Sequence, residues 1–135
     1  MASVFTKIVA GEIPSYKIAE TKDYLAFLDV FPLVKGHTLV IPKQEIDSLF
    51  DIENDRYTGL TLFAKGVAKA IQKTIPCKKV GMAVVGIEVP HAHIHLIPIN
   101  NASDMNFARP KLQLAKQEME ELAKKIGEVY LKSLT

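Results

Sequence analysis

The stretch His91-Ala92-His93-Ile94-His95-Leu96-Ile97 alternates imidazole and apolar side chains. Successive side chains of a β-strand point to opposite faces, so this pattern predicts a strand with all three imidazoles on one face. The apolar residues between them then face the core. The fourth histidine of the chain, His37, lies in another predicted strand and is expected to neighbour the three.

Elements predicted around this strand alternate between the periods of strands and helices. Ser3 is expected to cap a short first helix that ends at Gly11, and Pro110 suits the first turn of a last helix. The predicted strands span residues 16–19, 24–30, 36–42, 79–85 and 91–97, and the longer helices span residues 53–75 and about 110–132. This order predicts an α+β fold, with a five-stranded, mostly antiparallel sheet in a single domain over residues 1–135.

Composition restricts the classes of partner. The 135 residues carry a formal charge of +2, which gives no reason to expect binding to nucleic acid or to an anionic membrane. Cys77 is the only cysteine, so an intrachain disulfide is excluded. No signal peptide or membrane-spanning apolar run is recognised, so a cytoplasmic protein is expected.

Three histidines on one face fit two kinds of chemistry. They could bind a metal such as zinc, although the sequence has no HExxH motif and only Glu88 is a nearby carboxylate. Alternatively, a neutral imidazole nitrogen could attack phosphorus and form a covalent intermediate, while the other imidazoles donate hydrogen bonds to phosphate oxygens. The second alternative needs no metal or cofactor, and none is expected.

Residues 91–97 resemble the histidine-triad (HIT) signature His-φ-His-φ-His-φ-φ, in which φ is apolar. Three further segments resemble HIT signature segments in the same order, so the similarity extends from residue 3 to about residue 99. They are Phe5-Thr6-Lys7-Ile8-Val9-Ala10-Gly11-Glu12-Ile13-Pro14, Ala26-Phe27-Leu28-Asp29-Val30 and Gly36-His37-Thr38-Leu39-Val40-Ile41-Pro42-Lys43.

The resemblance implies a role for each matching residue. His93 would be the nucleophile on the α-phosphorus of a nucleoside 5′-phosphate derivative, and His95 would contact the phosphate and the departing group. His91 and His37 would orient these two, and Asp29 would bind the ribose hydroxyls. An apolar pocket for a purine base would be formed by Val4, Phe5, Ile8, Phe27 and Val30. From their pattern alone, Phe5, Ile8 and Phe27 could equally be core residues, and Asp29 a turn residue.

The implied activity is hydrolysis of a phosphoramidate or phosphoanhydride bond by a homodimer that joins two sheets. Two alternatives stay open beside it: a nucleotide-binding regulatory module with little turnover, and a metal-binding protein that uses the three histidines.

The sequence departs from the family at several places. Glu88 stands where a serine or threonine usually assists the leaving group. If burial raised its pKa, Glu88 could be a general acid; if it stayed ionised, it would repel phosphate. An arginine often found after the triad is missing, which argues against a long polyphosphate substrate. Ser3, Thr6 and Glu45 occupy positions that bind zinc in some bacterial relatives, so no such zinc site is expected.

Overall fold

A computed structural model describes residues 2–135. Its regular elements are α1 (Val4–Val9), β1 (Lys17–Glu20), β2 (Tyr24–Leu28), β3 (Thr38–Pro42), α2 (Asn54–Thr74), β4 (Lys79–Ala83), β5 (Ile94–Ile99) and α3 (Lys116–Lys132). Short 3₁₀ turns span Leu49–Asp51 and Ala102–Met105. The predicted α+β fold is therefore confirmed, including its short first helix, long central helix and last helix. None of the helices described between residues 2 and 135 combines the length and apolar character that crossing a bilayer requires.

The five strands form one sheet in the order β1-β2-β3-β5-β4, and all neighbours are antiparallel. The central strands β3 and β5 place the site. Leu39 is paired with His95 in their register, so His37, two residues before Leu39, lies beside His95. The β4 strand is at one edge of the sheet.

Both faces of the sheet are covered, which explains why all five residues of β3 are buried instead of alternating. On one face, α2 and α3 pack over the main core, and helix residues such as Leu60, Ile71 and Ile126 are fully buried there. Each such side chain contributes roughly 1.5–3 kcal/mol through removal of apolar surface from water. The other face carries α1 over a smaller cluster of Phe5, Leu25, Phe27, Leu39 and Ile41.

Local sequence explains the bounds of α1. The Ser3 hydroxyl accepts a hydrogen bond from the Thr6 N–H at 3.0 Å, as expected of an N-cap residue. Gly11 has a φ of +80°, in the left-handed region that glycine adopts without strain, and the chain turns there.

Two predicted element boundaries are wrong by three residues or more, while the others lie within two residues of the observed ones. The last helix begins at Lys116 and not near Pro110. The chain before it is held outside the helix by a 2.8 Å hydrogen bond from the Leu112 N–H to the Pro32 carbonyl, which is distant in sequence. The last strand begins at Ile94 and not at His91. There, the Ala92 N–H donates to the Ile46 carbonyl at 2.7 Å instead of joining the ladder with β3.

Candidate active site

The three triad histidines lie side by side although only His95 belongs to β5. All three are buried, and the rings of His93 and His95 are 5.0 Å apart. The intervening Ala92, Ile94 and Leu96 belong to the main core on the opposite face. The predicted division of imidazoles and apolar residues between two faces is therefore confirmed.

His91 is fixed through both ring nitrogens. The Pro42 carbonyl oxygen lies 2.8 Å from Nε2 and can only accept, so Nε2 carries the proton. Nδ1 then accepts from the Ser3 hydroxyl at 2.9 Å. Burial lowers the pKa of His91, which favours this neutral form.

The Ser3 side of His91 continues into a small hydrogen-bonded group. A single Glu45 carboxylate oxygen accepts from the Ser3 N–H and from the Thr6 hydroxyl, each at 2.6 Å. These bonds, that of Thr6 foremost, lower the pKa of Glu45 to about 2. Ser3, Thr6 and Glu45, which stand at the zinc-binding positions of some bacterial relatives, thus meet beside His91 and are joined by hydrogen bonds.

His93 is held by one bond that leaves its other nitrogen available. Its Nδ1 lies 2.7 Å from the main-chain carbonyl of His91, so Nδ1 carries the proton. Nε2 therefore has its lone pair, and no described residue between 2 and 135 forms a hydrogen bond with it. The Phe5 ring packs edge-on against the imidazole at 5.0 Å and limits its rotation.

His37 and His95 form a directional chain of hydrogen bonds. The Leu33 N–H donates to Nδ1 of His37 at 3.0 Å, so the His37 proton is on Nε2. That Nε2–H donates to Nδ1 of His95 at 2.9 Å, which leaves His95 with a proton on Nε2. The site thus combines a nitrogen lone pair on His93 with an N–H donor on His95.

Burial keeps the His37–His95 pair uncharged. It is the main cause that lowers the pKa of His37 to about 3 and that of His95 to about 4, and the neighbouring His93 adds to both shifts. The positive charge of Lys111 acts in the same direction on both rings. Both imidazoles are therefore neutral at neutral pH, as the hydrogen-bond chain requires.

Asp29 follows β2 and borders this pair. One carboxylate oxygen accepts from the Phe31 N–H at 2.9 Å, as in a turn, and the other lies 3.6 Å from Nε2 of His37. Burial raises its pKa, while the Phe31 hydrogen bond and the positive charge of Lys111 lower it. The half-buried carboxylate retains acceptor capacity for further O–H donors.

Asp29, His37 and His95 place ligand atoms within 4.8 Å of one another, close enough to hold a metal ion. The hydrogen bonds oppose that use. A metal on Nε2 of His37 would normally require a proton on Nδ1, but Nδ1 faces the Leu33 N–H and must accept. In His91 both nitrogens are already engaged. The residues present therefore fit a neutral hydrogen-bond network better than a metal centre.

The residues predicted to line a base pocket divide into two groups. Phe5 and Phe27 are buried, with ring centroids 5.6 Å apart, and Ile8 packs against their cluster. Val4 and Val30 lie outside this cluster and are 43% and 54% exposed. The buried rings form an apolar floor, while the two valines present apolar surface to solvent.

The sequence model of the HIT domain matches residues 10–102. The chain belongs to the HIT-domain family. It is 42% identical over 98 residues to the adenosine 5′-monophosphoramidase HNT1 of Saccharomyces cerevisiae, an alignment covering 72% of this chain and 62% of that protein. It is 33% identical over 129 residues to the adenosine 5′-monophosphoramidase hnt1 of Schizosaccharomyces pombe, covering 94% of this chain and 97% of that protein. These relatives support a nucleotide hydrolase in general terms.

Solved HIT structures share the fold. A HIT-like protein from Bartonella henselae, described as involved in cell-cycle regulation, has a TM-score of 0.81 and 30% identity, covering 94% of this chain and 95% of that one. A zinc-bound histidine triad protein from Mycobacterium smegmatis also has a TM-score of 0.81, with 26% identity, covering 100% and 99%.

Within this HIT domain, Glu88 lies in the connection from β4 to β5 and is exposed. The structure therefore lacks the burial on which the general-acid hypothesis for Glu88 depended. Gly86, in the same connection, has a φ of +68°, which favours glycine at this turn.

Sequence reasoning missed two residues of the site. The Phe107 ring packs edge-on against His95 at 4.8 Å and lies 6.3 Å from His37, and Lys111 follows it in the irregular segment before α3. Neither residue stands in a motif or a periodic pattern. Ser3 was recognised as a helix cap, but its second bond to His91 depends on tertiary packing.

Proposed function

We propose that this HIT domain hydrolyses phosphoramidate or phosphoanhydride bonds at the α-phosphorus of nucleoside 5′-phosphate derivatives, through a nucleotidyl intermediate on His93. The main support is the bond from the His93 Nδ1–H to the His91 carbonyl, which leaves the Nε2 lone pair available. A purine nucleotide is the expected ligand, with Asp29 on the ribose and the apolar floor of Phe5 and Phe27 below the base.

In the first step, Nε2 of His93 forms a bond to phosphorus as the bond from phosphorus to the departing nitrogen or oxygen breaks. The departing group takes a proton from solvent. The His93 ring becomes cationic, and the His91 carbonyl stabilises its Nδ1–H. The His95 Nε2–H donates to a phosphate oxygen as negative charge shifts onto it.

In the second step, water attacks phosphorus, the bond between phosphorus and Nε2 breaks, and one water proton is released to solvent. The nucleoside monophosphate leaves and His93 returns to its neutral form. No metal enters either step. His37 and the Leu33 N–H keep the His95 proton on Nε2 throughout.

The test is hydrolysis of adenosine 5′-phosphoramidate by the wild type and by His93→Gln, with and without a chelator. We expect turnover that the chelator leaves unchanged and that falls to background in the variant, with nucleotide recoverable on the wild-type protein after an acid-free quench. Equal AMP binding and melting temperature in the variant would show that it folds.

The same experiment separates the alternatives. AMP binding without wild-type turnover would support a regulatory module instead. Turnover that the chelator abolishes, with stoichiometric metal in the purified protein, would support a metal protein. The cytoplasmic location remains a prediction from the sequence.

We also propose a homodimer formed at the β4 edge. Several apolar side chains on and after this strand are exposed: Met82 at 62%, Val84 at 43%, Val85 at 47% and Ile87 at 85%. An exposed apolar edge strand is a site where a second chain can pair. Light scattering should give twice the chain mass, and Met82→Lys should shift it toward the monomer; a wild-type monomer at micromolar concentration would exclude this dimer.

A further inference from the structure

The segment between β5 and α3 lies against the histidines and is fixed at several points. Phe107 contacts His95, while the Leu112 N–H bonds to the Pro32 carbonyl beyond Asp29. Arg109 donates to the Ser103 carbonyl at 3.0 Å and forms a 3.2 Å ion pair with Asp104. The backbone from Phe107 to Leu112 is therefore an ordered border of the site.

Lys111 holds its ammonium group beside this border. Nζ donates to the Phe107 carbonyl at 2.6 Å and to the Arg109 carbonyl at 3.3 Å, and an ammonium has a third N–H to donate. Unlike Arg109, Lys111 has no carboxylate within ion-pair distance among residues 2–135. Its positive charge is one of the causes acting on the pKa values of Asp29, His37 and His95, so it lies within electrostatic range of all three.

The rest of the site has little positive charge to offer an anion. His37 and His95 are neutral at neutral pH, and Asp29 carries a negative charge when ionised. A substrate whose departing group is itself a phosphate brings additional negative charge next to His95, where the departing group is expected. An ammonium without a carboxylate partner, within electrostatic range of His95, would favour such a substrate over one that releases a neutral amine.

We propose that Lys111 determines leaving-group specificity by binding negative charge beyond the α-phosphorus, so that anhydrides of a nucleoside monophosphate with a second phosphate compound are substrates. This inference rests on the proposed hydrolase function. The positions directly after the triad carry no positive charge, and Lys111 supplies one from the segment between β5 and α3. Phe107 positions it by contributing the carbonyl that accepts from Nζ and the ring that packs on His95.

The experiment compares two substrates that share adenosine 5′-phosphate: adenosine 5′-phosphoramidate, and diadenosine triphosphate, which releases ADP. For Lys111→Gln we expect kcat/KM on diadenosine triphosphate to fall about tenfold, the effect of one lost charge-assisted hydrogen bond, with the phosphoramidate changed by less than about twofold. Lys111→Arg should retain most of the activity. Arg109→Gln is the matched control, since it removes one positive charge from the same segment and should leave the ratio of the two substrates unchanged.

Equal losses on both substrates would overturn the inference, because Lys111 would then only stabilise the segment. Unchanged activity on both, or a wild type that cleaves only the phosphoramidate, would also overturn it. If the wild type cleaves neither substrate, the hydrolase proposal fails, and the inference is decided by binding. Lys111→Gln should then weaken adenosine 5′-(α,β-methylene)diphosphate about tenfold more than AMP, and equal weakening of both ligands would overturn it.

Discussion

The neutral His37–His95 pair makes the stability of this protein depend on pH in a calculable way. In the unfolded chain a histidine has a pKa near 6.5, whereas in the fold these two have pKa values of about 3 and about 4. Folding therefore releases protons below pH 6.5. Because both folded values are lowered, their stabilisation is fully present above the unfolded pKa and is lost as the pH falls toward the folded values.

The size of this loss of stability between pH 7.5 and pH 5 follows from the pKa of the two histidines in the unfolded chain. At pH 5 both rings are mostly neutral in the fold and mostly protonated in the unfolded chain. Keeping each ring neutral at pH 5 then lowers the free energy of unfolding by about 2 kcal/mol, because pH 5 lies about 1.5 units below the unfolded pKa and each unit is worth 1.36 kcal/mol. The pair together lowers it by about 4 kcal/mol. The result changes little with the folded values as long as they stay below 5.

Urea unfolding followed by far-ultraviolet circular dichroism, at one protein concentration, measures this loss at the two pH values. His37→Gln provides the comparison, since its amide can still donate to Nδ1 of His95 but does not titrate. Its stability should fall by about 2 kcal/mol less than that of the wild type over the same interval. Equal losses in the two proteins, or a wild-type loss below about 1 kcal/mol, would refute neutral burial of the pair.

Three further predictions concern residues around the site and in the core. Thr6→Val should raise the pKa of Glu45 from about 2 toward 4.5, since the Thr6 hydroxyl is the largest cause of its shift; a carboxyl ¹³C NMR titration measures this, and an unmoved titration would exclude that bond. Gly127→Ala should lower the free energy of unfolding by about 1–3 kcal/mol, because its Cβ would lie 2.6 Å from the Ile18 carbonyl oxygen; unchanged urea unfolding would contradict such close packing of α3 on β1. Glu88→Gln should change kcat/KM on the phosphoramidate by less than about twofold, as its carboxylate is exposed, and a tenfold loss would restore it as the leaving-group acid.

The local sequence pattern was sufficient to predict much of the fold. The spacing of apolar residues predicted the long helix within one residue of its observed ends at Asn54 and Thr74. The Ser3 cap and the turn at Gly11 were also predictable, because capping and left-handed glycine depend on neighbouring residues. The last helix began six residues later than predicted because a long-range hydrogen bond to the Pro32 carbonyl holds the preceding segment in an irregular conformation, and local propensity does not predict that bond.

For the site, sequence alone predicted that three histidines share one face, since strand-like alternation is a local property. Tertiary structure decided their chemistry. The nitrogen that carries each proton is set by partners distant in sequence: Pro42 and Ser3 for His91, and His37 for His95. Burial, which keeps these rings neutral, exists only once both faces of the sheet are covered. The Lys111 ammonium lies at the Phe107 carbonyl because an irregular segment that no periodic pattern predicts folds against His95.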